Sequence, residues 1–303
     1  MVGEVRYVVI GDSALDVSVR PSQPMRPAGD VPAAIHLAAG GQGANVAVRL
    51  ARAGETVTLL TGLADDAAGG LLRAALGTEG VRLVALPVAR STTVVVLLDV
   101  SGERSMLSDR ATLRVPSADA LAGAEWIHCS GYPLLDDESG DVLGSLLGGR
   151  SAGVRLSVAG GSVPPDPVRV ARLRRRLEAA HPDLLVVSRQ EAASLLGTAP
   201  VAAPAAADAL LTVAPVVVVT EGAAGSAAAT AAGQRVHVPA AEAAVVDTTG
   251  SGDAYTAALL ARLARGPWPP DPATLQEAMT AAGLQGARVA GVLGAQGRVE
   301  GEA

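Results

Sequence analysis

Short apolar runs alternate along the chain with segments whose apolar residues recur at helical spacing. The runs are typical of buried strands, and the spaced segments are typical of helices with one buried face. The clearest strand candidates span residues 6–12, 56–62, 126–129, 155–158, 184–187 and 216–220. The helix candidates span residues 46–53, 67–76, 139–147, 167–180, 191–196 and 203–211. This alternation predicts an α/β fold, with a parallel sheet covered on both faces, in a single domain of residues 1–303.

A second set of segments predicts strands with one exposed face. Residues 14–20 alternate between apolar and polar positions, as a half-exposed strand does. Residues 92–99 and 104–107 flank Val100-Ser101-Gly102-Glu103, which together form the signature of a β-hairpin.

Residues 245–260 combine a strand end, a tight glycine turn and the first turns of an apolar helix. Gly250 and Gly252 allow successive N–H groups to face one point, where the helix dipole adds positive charge. This pattern predicts an anion site made of backbone, with Asp253 at its mouth. A carboxylate in that place suits a general base that takes a proton from an attacking hydroxyl. An ordinary N-cap is the alternative use of Asp253, and the local chemistry favours neither.

The composition excludes several classes of chemistry. All 24 basic residues are arginine, so the chain has no lysine for a Walker-A loop, a Schiff base or a general base. Aromatic residues make up 2% of the chain and phenylalanine is absent, so alanine, valine and leucine must build the core. The net charge of −6 argues against a nucleic acid or an anionic membrane as the main partner.

Cysteine and histidine form no recognisable metal motif. Cys129 is the single cysteine, which excludes an internal disulfide and a thiol cluster for zinc. The four histidines are scattered without metal-site spacing. The N-terminus lacks the organisation of a signal peptide, and no uninterrupted apolar run is long enough to span a membrane. We therefore expect a soluble cytoplasmic protein.

Two glycine motifs lie at opposite ends of the chain, Gly40-Gly41-Gln42-Gly43-Ala44-Asn45 and Asp247-Thr248-Thr249-Gly250-Ser251-Gly252-Asp253. In this order they resemble the ribokinase-like (PfkB) family of sugar and nucleoside kinases, and the resemblance covers nearly the whole chain. It implies a ribokinase-like three-layer α/β/α sandwich with a central, mainly parallel sheet. It also implies a small β lid built from the segments near 14–36 and 88–112.

The resemblance implies phosphoryl transfer from ATP. Asp253 would be the base that deprotonates the acceptor hydroxyl, one of the two uses open to it on local chemistry. The N–H groups of Gly250, Ser251 and Gly252 would hold the γ-phosphoryl group as charge develops on it.

By the same resemblance, Asp16, Gly41, Gln42 and Asn45 would bind hydroxyl groups of the acceptor. A carboxylate and an amide suit a polyol, whose paired hydroxyls need convergent acceptors and donors. Asn45 has an alternative role, which is to cap or brace the start of its helix.

The nucleotide side of the site is implied by two further motifs. Thr220, Gly222 and Gly225 match a family loop whose backbone turns over the phosphates or the ribose. Glu191 matches the acid that helps to organise Mg²⁺ through water, since this cation usually keeps several of its waters. Ser188 stands where the family has an asparagine that contacts the nucleotide or the metal.

Asp247 and Thr249 match positions that hold a monovalent cation such as K⁺ beside the anion site in many family members. The run at residues 94–97, expected to be exposed, would suit pairing of lid strands in a homodimer. The overall prediction is an ATP- and Mg²⁺-dependent kinase that phosphorylates a primary hydroxyl of a sugar or sugar derivative. A nucleoside kinase of the same family and a non-catalytic sugar- or nucleotide-binding protein are the alternatives.

Overall fold

The computed structural model describes residues 5–25, 28–98, 104–163 and 166–299, with the backbone alone at residues 98 and 104. The predicted hairpin turn at residues 100–103 therefore lies outside the described residues. Within the described ranges, no helix combines the length and the apolar character that crossing a membrane would require.

Thirteen strands and nine α-helices are assigned in the described chain. The strands are β1 Arg6–Ile10, β2 Ala14–Pro21, β3 Ala33–Gly40, β4 Thr56–Leu63, β5 Arg82–Pro87, β6 Thr92–Leu98, β7 Arg104–Asp109, β8 Trp126–Cys129, β9 Arg155–Ala159, β10 Leu184–Ser188, β11 Val216–Thr220, β12 Ser226–Thr230 and β13 Arg235–Val238. The helices are α1 Gln42–Arg52, α2 Ala67–Thr78, α3 Gly131–Leu135, α4 Gly140–Gly148, α5 Pro167–Ala180, α6 Arg189–Leu196, α7 Ala203–Ala209, α8 Ser251–Leu263 and α9 Pro272–Ala290.

The main sheet has the strand order β13-β12-β11-β10-β9-β8-β1-β4-β5. The strands from β11 to β5 pair in parallel, and β12 and β13 are added antiparallel at one edge. Side chains of β1 alternate between two cores, with Val8 and Ile10 in one and Tyr7 and Val9 in the other. Helices α4 and α5 cover the first core, and α1, α8 and α9 cover the second. The predicted three-layer fold with a mainly parallel sheet is confirmed.

A smaller sheet, the lid sheet, has the order β3-β2-β6-β7. The segments predicted to build a lid supply all four of its strands. The expectation that residues 94–97 are exposed was wrong, because β6 lies between β2 and β7 and Val94 is 3% exposed. Large apolar side chains are instead exposed on the two outer strands, at Ile35, Leu37, Met106 and Leu107.

Most differences from the predicted boundaries arise where glycines bring backbones together. Helix α1 begins at Gln42 rather than at residue 46, because Gly41 with φ 98° is its N-cap. A Cβ atom on Gly43 would lie 2.6 Å from the Gly11 Cα, so both positions must be glycine. Helix α3 was not predicted at all. A five-residue helix is too short to show a clear apolar period.

Candidate active site

The two glycine motifs meet at the starts of α1 and α8. Asn45 in the first turns of α1 donates from Nδ2 to Oδ2 of Asp253 in the first turn of α8, at 2.7 Å. These residues are 208 positions apart in sequence. The helices themselves pack together through the second apolar core. The fold thus brings one residue from each motif into direct contact.

Asp253 has a strongly shifted acidity. Burial of its carboxyl group raises the pKa from the ordinary 3.8 to about 7, although part of the residue surface stays accessible. The hydrogen bond from Asn45 and the charge of Arg49 lower the pKa, while Asp12 and Glu191 raise it. A carboxylate that titrates near neutral pH can both accept and release a proton under ordinary conditions.

The glycine turn before Asp253 leaves backbone donors available. Gly250 is the N-cap of α8 with φ 79°, in the left-handed region. The N–H of Ser251, one of the three predicted anion donors, is donated to the Thr248 carbonyl at 3.2 Å. Among the hydrogen bonds of the described residues, none is donated by the N–H of Gly250 or Gly252. These two N–H groups can therefore bind an anion beside Asp253.

A cavity of about 480 Å³ lies beside the start of α1. Its wall includes Asp12, Arg110 and Tyr132, and Arg110 Nη1 donates to Asp12 Oδ2 at 2.9 Å. The Arg110 guanidinium lies 3.8 Å from the centre of the Tyr132 ring. Asp12 also accepts the N–H of Ala44 on its carbonyl, at 3.0 Å, which joins the cavity wall to α1. Sequence reasoning missed Arg110, whose one local signal was its place directly after a predicted hairpin strand.

Two of the predicted acceptor ligands, neither of which lines this cavity, already hold protein groups. Gln42 Oε1 accepts the N–H of Gly131 at 3.0 Å. Asn45 uses its amide nitrogen on Asp253 and its amide oxygen on Gln296, whose Nε2 lies 3.1 Å away. Asn45 therefore braces the predicted base, which is closer to the alternative role than to direct acceptor binding.

The other two predicted acceptor residues shape the junction between the sheets. Asp16 lies on β2 with its carboxylate against Gly40, where an added Cβ atom would be 2.1 Å from Oδ2. Gly41 also lies close to neighbouring backbone, since a Cβ atom there would be 2.7 Å from the Asp12 carbonyl oxygen. A side chain at Gly40 or Gly41 would therefore require its neighbours to move.

Ser188 and Glu191 form a capping box at the start of α6. Ser188 Oγ accepts the N–H of Glu191, and Glu191 Oε2 accepts the Ser188 N–H at 2.7 Å and its hydroxyl at 2.8 Å. Glu191 Oε1 also accepts the N–H of Ser162 at 3.1 Å. The hydroxyl of Ser188 thus serves the helix start, and a contact of Ser188 with the nucleotide stays a prediction. Oε1 of Glu191 accepts one protein donor and keeps a lone pair for water, whereas Oε2 already accepts two protein donors.

The predicted nucleotide loop follows β11. Thr220 ends the strand, and Gly222 and Gly225 have φ of 58° and 95°. Gly225 also approaches β13, because a Cβ atom there would lie 2.1 Å from the Val238 carbonyl oxygen. An ion pair between Arg189 and Glu221 connects the loop to the start of α6.

Asp247 organises the backbone below the anion site. Its Oδ1 accepts the N–H and the hydroxyl of Thr249, at 2.9 and 2.6 Å, and its Oδ2 accepts the N–H of Gly294 at 3.0 Å. In the part of the chain that the structure describes, no group of three or more His, Cys, Asp or Glu residues could hold a metal ion. The carboxylate of Glu191 is a hard oxygen donor of the kind that can orient a Mg²⁺-bound water.

Comparison with known proteins matches these features to one family. The model of the pfkB family carbohydrate kinases matches residues 6–300. A fructokinase of Klebsiella pneumoniae is 34% identical over 242 residues, which cover 74% of this chain and 76% of that protein. An aminoimidazole riboside kinase of Salmonella typhimurium is 32% identical over 287 residues, covering 84% of this chain and 83% of that protein.

Solved structures match over almost the whole fold. The fructokinase of Vibrio cholerae with fructose, ADP and calcium ion has a TM-score of 0.78 and 24% identity, covering 96% of this chain and 94% of that one. The aminoimidazole riboside kinase of Salmonella enterica has a TM-score of 0.75 and 26% identity, covering 96% and 95%. The chain therefore belongs to the pfkB family, as an ATP-dependent carbohydrate kinase with the ribokinase-like fold.

Proposed function

We propose that this kinase transfers the γ-phosphoryl group of ATP to a hydroxyl of a sugar or sugar derivative, with Asp253 as the general base. The observation that carries the proposal is the position of Asp253. It accepts a hydrogen bond from Asn45 and lies beside the N–H groups of Gly250 and Gly252, which donate to no acceptor among the described residues. A base and an anion site for the transferred group are both needed, and they lie on one helix turn.

In the proposed reaction, Asp253 accepts the proton of the acceptor hydroxyl. The hydroxyl oxygen forms a bond to the γ-phosphorus while the bond to the β,γ-bridging oxygen breaks, and ADP leaves. The N–H groups of Gly250 and Gly252 stabilise negative charge on the transferred group. The raised pKa of Asp253, about 7, matches its acidity to a proton transfer near neutral pH.

The acceptor proposed for the cavity is a neutral polyol. Asp12 and Arg110 form an ion pair there. The cavity wall carries more carboxylates than guanidinium groups, which disfavours a second anion. Asp16 and Gln42 Nε2 are proposed to add an acceptor and a donor for paired hydroxyls. Because several relatives are fructokinases, fructose is the first candidate acceptor.

On the nucleotide side, the loop of Thr220, Gly222 and Gly225 is proposed to pass over ATP. Mg²⁺ bound with ATP would neutralise phosphate charge, and Glu191 would orient one of its waters. The capping box holds that carboxylate in place. A monovalent cation near Asp247 and Thr249, a homodimer formed through the lid sheet, and a cytoplasmic location stay predictions.

A nucleoside acceptor is the second candidate. The similarity to aminoimidazole riboside kinase supports it, and so does Tyr132 in the cavity wall. Against it, the Arg110 guanidinium already covers one face of the Tyr132 ring, which limits stacking by the nucleobase of the acceptor to the other face.

The proposal is tested by coupled ADP release with Mg-ATP and a panel of fructose, ribose, 2-keto-3-deoxygluconate, adenosine, cytidine and pseudouridine. We expect turnover of a sugar by the wild type and a loss of at least ~10²-fold in Asp253→Asn, because removing a general base costs that much. Asp65→Asn, an exposed carboxylate outside the site, is the matched control and should keep full activity. Equal activity in Asp253→Asn and wild type would contradict the role of Asp253. Silence of both, with a sugar still raising the melting temperature, would favour the non-catalytic binding protein.

A further inference from the structure

We propose that Gln296 is a positioning residue of the reaction, which stabilises the orientation of the Asn45 amide that Asp253 requires and thereby holds the carboxylate of Asp253. This inference rests on the proposed role of Asp253 as the base. Gln296 lies after α9, in the segment Gly294-Ala295-Gln296-Gly297, and nothing in the two glycine motifs points to it.

The three side chains form one directed series of hydrogen bonds. Gln296 Nε2 donates to Asn45 Oδ1 at 3.1 Å, and Asn45 Nδ2 donates to Asp253 Oδ2 at 2.7 Å. A carboxylate requires a donor, so Asn45 must present its nitrogen to Asp253 and its oxygen to Gln296. If the Asn45 amide were reversed, two acceptors would face each other at Asp253 and two donors at Gln296. Because Gln296 Nε2 donates to Asn45 Oδ1, it stabilises the orientation of the Asn45 amide in which Nδ2 faces Asp253.

The backbone around Gln296 is bound to the same helix that carries Asn45. Arg52 of α1 donates from Nη2 to the Gln296 carbonyl at 3.0 Å. Arg49 of α1 donates from Nη2 to the carbonyls of Ala295 and Gly297, at 2.9 and 2.8 Å. Three consecutive carbonyls are thus held by two guanidinium groups, which are strong and directional donors. The position of Gln296 relative to Asn45 is thereby determined within one rigid unit.

The segment also contacts the turn that would bind the phosphoryl group. Gly294 donates its N–H to Asp247 Oδ2 at 3.0 Å. Ala295 packs so closely on Gly250 that a Cβ atom on Gly250 would lie 2.7 Å from the Ala295 Cα. Gln296 is therefore held between the start of α1 and the start of α8. The proposed reaction requires these two helix starts to keep a constant relative position.

The charged groups around Asp253 are distinct from Gln296. Asp12 in the loop after β1 and Glu191 on α6 raise its pKa, and Arg49 on α1 lowers it. Asp12 is itself paired with Arg110. Gln296 is neutral, so replacing it with another neutral residue alters the orientation of Asn45 without altering the charge of the site.

The test compares Gln296→Met, which keeps the volume and removes the donor, with Gln296→Glu, whose carboxylate demands a donor from Asn45. Asn45 Nδ2 would then donate to the carboxylate at position 296, wholly or in part. Asp253 would lose or weaken the hydrogen bond that lowers its pKa. We expect kcat to fall by about tenfold in Gln296→Met and further in Gln296→Glu, since a tenfold change corresponds to one weakened hydrogen bond. The KM for ATP should stay within about twofold of the wild type.

The pH profile separates positioning from a general loss of structure. In both variants the acidic limb of kcat/KM should move to higher pH, because Asp253 becomes protonated at higher pH without the Asn45 donor. Carboxyl ¹³C NMR of Asp253 should show the same upward shift without any turnover. The control is Gln276→Met, at an exposed position of α9. It should change neither the acidic limb of kcat/KM nor the NMR titration of Asp253.

Two outcomes overturn the inference. If Gln296→Met keeps the wild-type kcat and acidic limb while Asp253→Asn is inactive, Gln296 does not position the base although the base is assigned correctly. If the variants lose activity with a lowered melting temperature but with an unmoved NMR titration, the role of Gln296 is structural only. Retained activity in Asp253→Asn would instead refute the proposed function itself.

Discussion

Asp253 has a pKa near neutrality because the raising influences on its carboxyl group, burial above all, outweigh the lowering ones. Burial and the neighbouring carboxylates Asp12 and Glu191 raise the pKa, whereas the Asn45 hydrogen bond and Arg49 lower it, and the result is about 7. Without the lowering groups the carboxyl would stay protonated at neutral pH and could not accept a proton. Without burial it would be too weak a base.

The same shift makes stability depend on pH in a defined direction. The folded protein holds a proton on Asp253 up to about pH 7, whereas an unfolded chain releases it near 3.8. Between these values the folded state binds more protons, so this group lowers the free energy of unfolding as pH rises. The contribution present at pH 4 should be lost by pH 8.

Asp253→Asn removes this dependence. Relative to the wild type, we expect the variant to gain about 2 to 4 kcal/mol in free energy of unfolding on going from pH 4 to pH 8. Urea unfolding at both pH values measures the difference, with Asp65→Asn as the control that should follow the wild type. Parallel pH dependences of Asp253→Asn and wild type would show that Asp253 titrates at an ordinary pKa.

At the scale of elements, the starts of the helices carry the chemistry of the site. Helices α1 and α8 begin at left-handed or positive-φ glycines, Gly41 and Gly250, which allow the chain to turn directly from a strand end or loop into the helix. Helix α6 begins differently, with the reciprocal bonds of Ser188 and Glu191. At α8 the N–H groups of Gly250 and Gly252 are left for a ligand, whereas at α1 the Asp12 carbonyl accepts the N–H of Ala44. At α6 the capping box satisfies the helix start within the protein.

Ser188→Ala tests which of these uses applies to α6. We expect a loss of about 1 kcal/mol in free energy of unfolding, the usual cost of removing a serine cap, and a KM for ATP close to that of the wild type. Chemical denaturation and steady-state kinetics give the two values. Ser194→Ala, in the interior of the same helix, should leave both unchanged. A raised KM for ATP with wild-type stability would restore Ser188 as a nucleotide contact.

At the scale of the whole molecule, the two outer strands of the lid sheet expose large apolar side chains. Ile35 and Leu37 on β3 are 64% and 54% exposed, and Met106 and Leu107 on β7 are 52% and 61% exposed. Outer strands with such side chains offer both backbone groups and apolar area to another chain. This surface supports the predicted homodimer and moves its contact from β6 to the two outer strands.

Leu37→Glu should therefore convert a dimer to a monomer at micromolar concentration, because it places a charge in an apolar contact. Size-exclusion chromatography with light scattering measures the mass. Val168→Glu adds the same charge at an exposed valine of α5, which is 67% exposed and outside the lid sheet, and should leave the mass unchanged. A wild type that elutes as a monomer would contradict the homodimer.

Local patterns predicted most elements because their causes are local. Strands β8 and β11 and helix α5 have the bounds that apolar runs and helical spacing indicated. Helix α5 begins at Pro167 after Asp166, whose side chain accepts the N–H groups of Val168 and Arg169. The short α3 and the early start of α1 escaped prediction, since glycine contacts between distant backbones determine them.

The sequence by itself determined the family, the layered α/β fold and the turn that carries Asp253, since residue types at fixed local spacing specify backbone turns and buried faces. The tertiary structure decided the partners of each site residue. It placed Asn45 on Asp253 and Gln296 on Asn45, 251 positions away, and it used Ser188 as a helix cap. Hydrogen-bond direction and burial depend on which distant segments meet, and no local pattern carries that information.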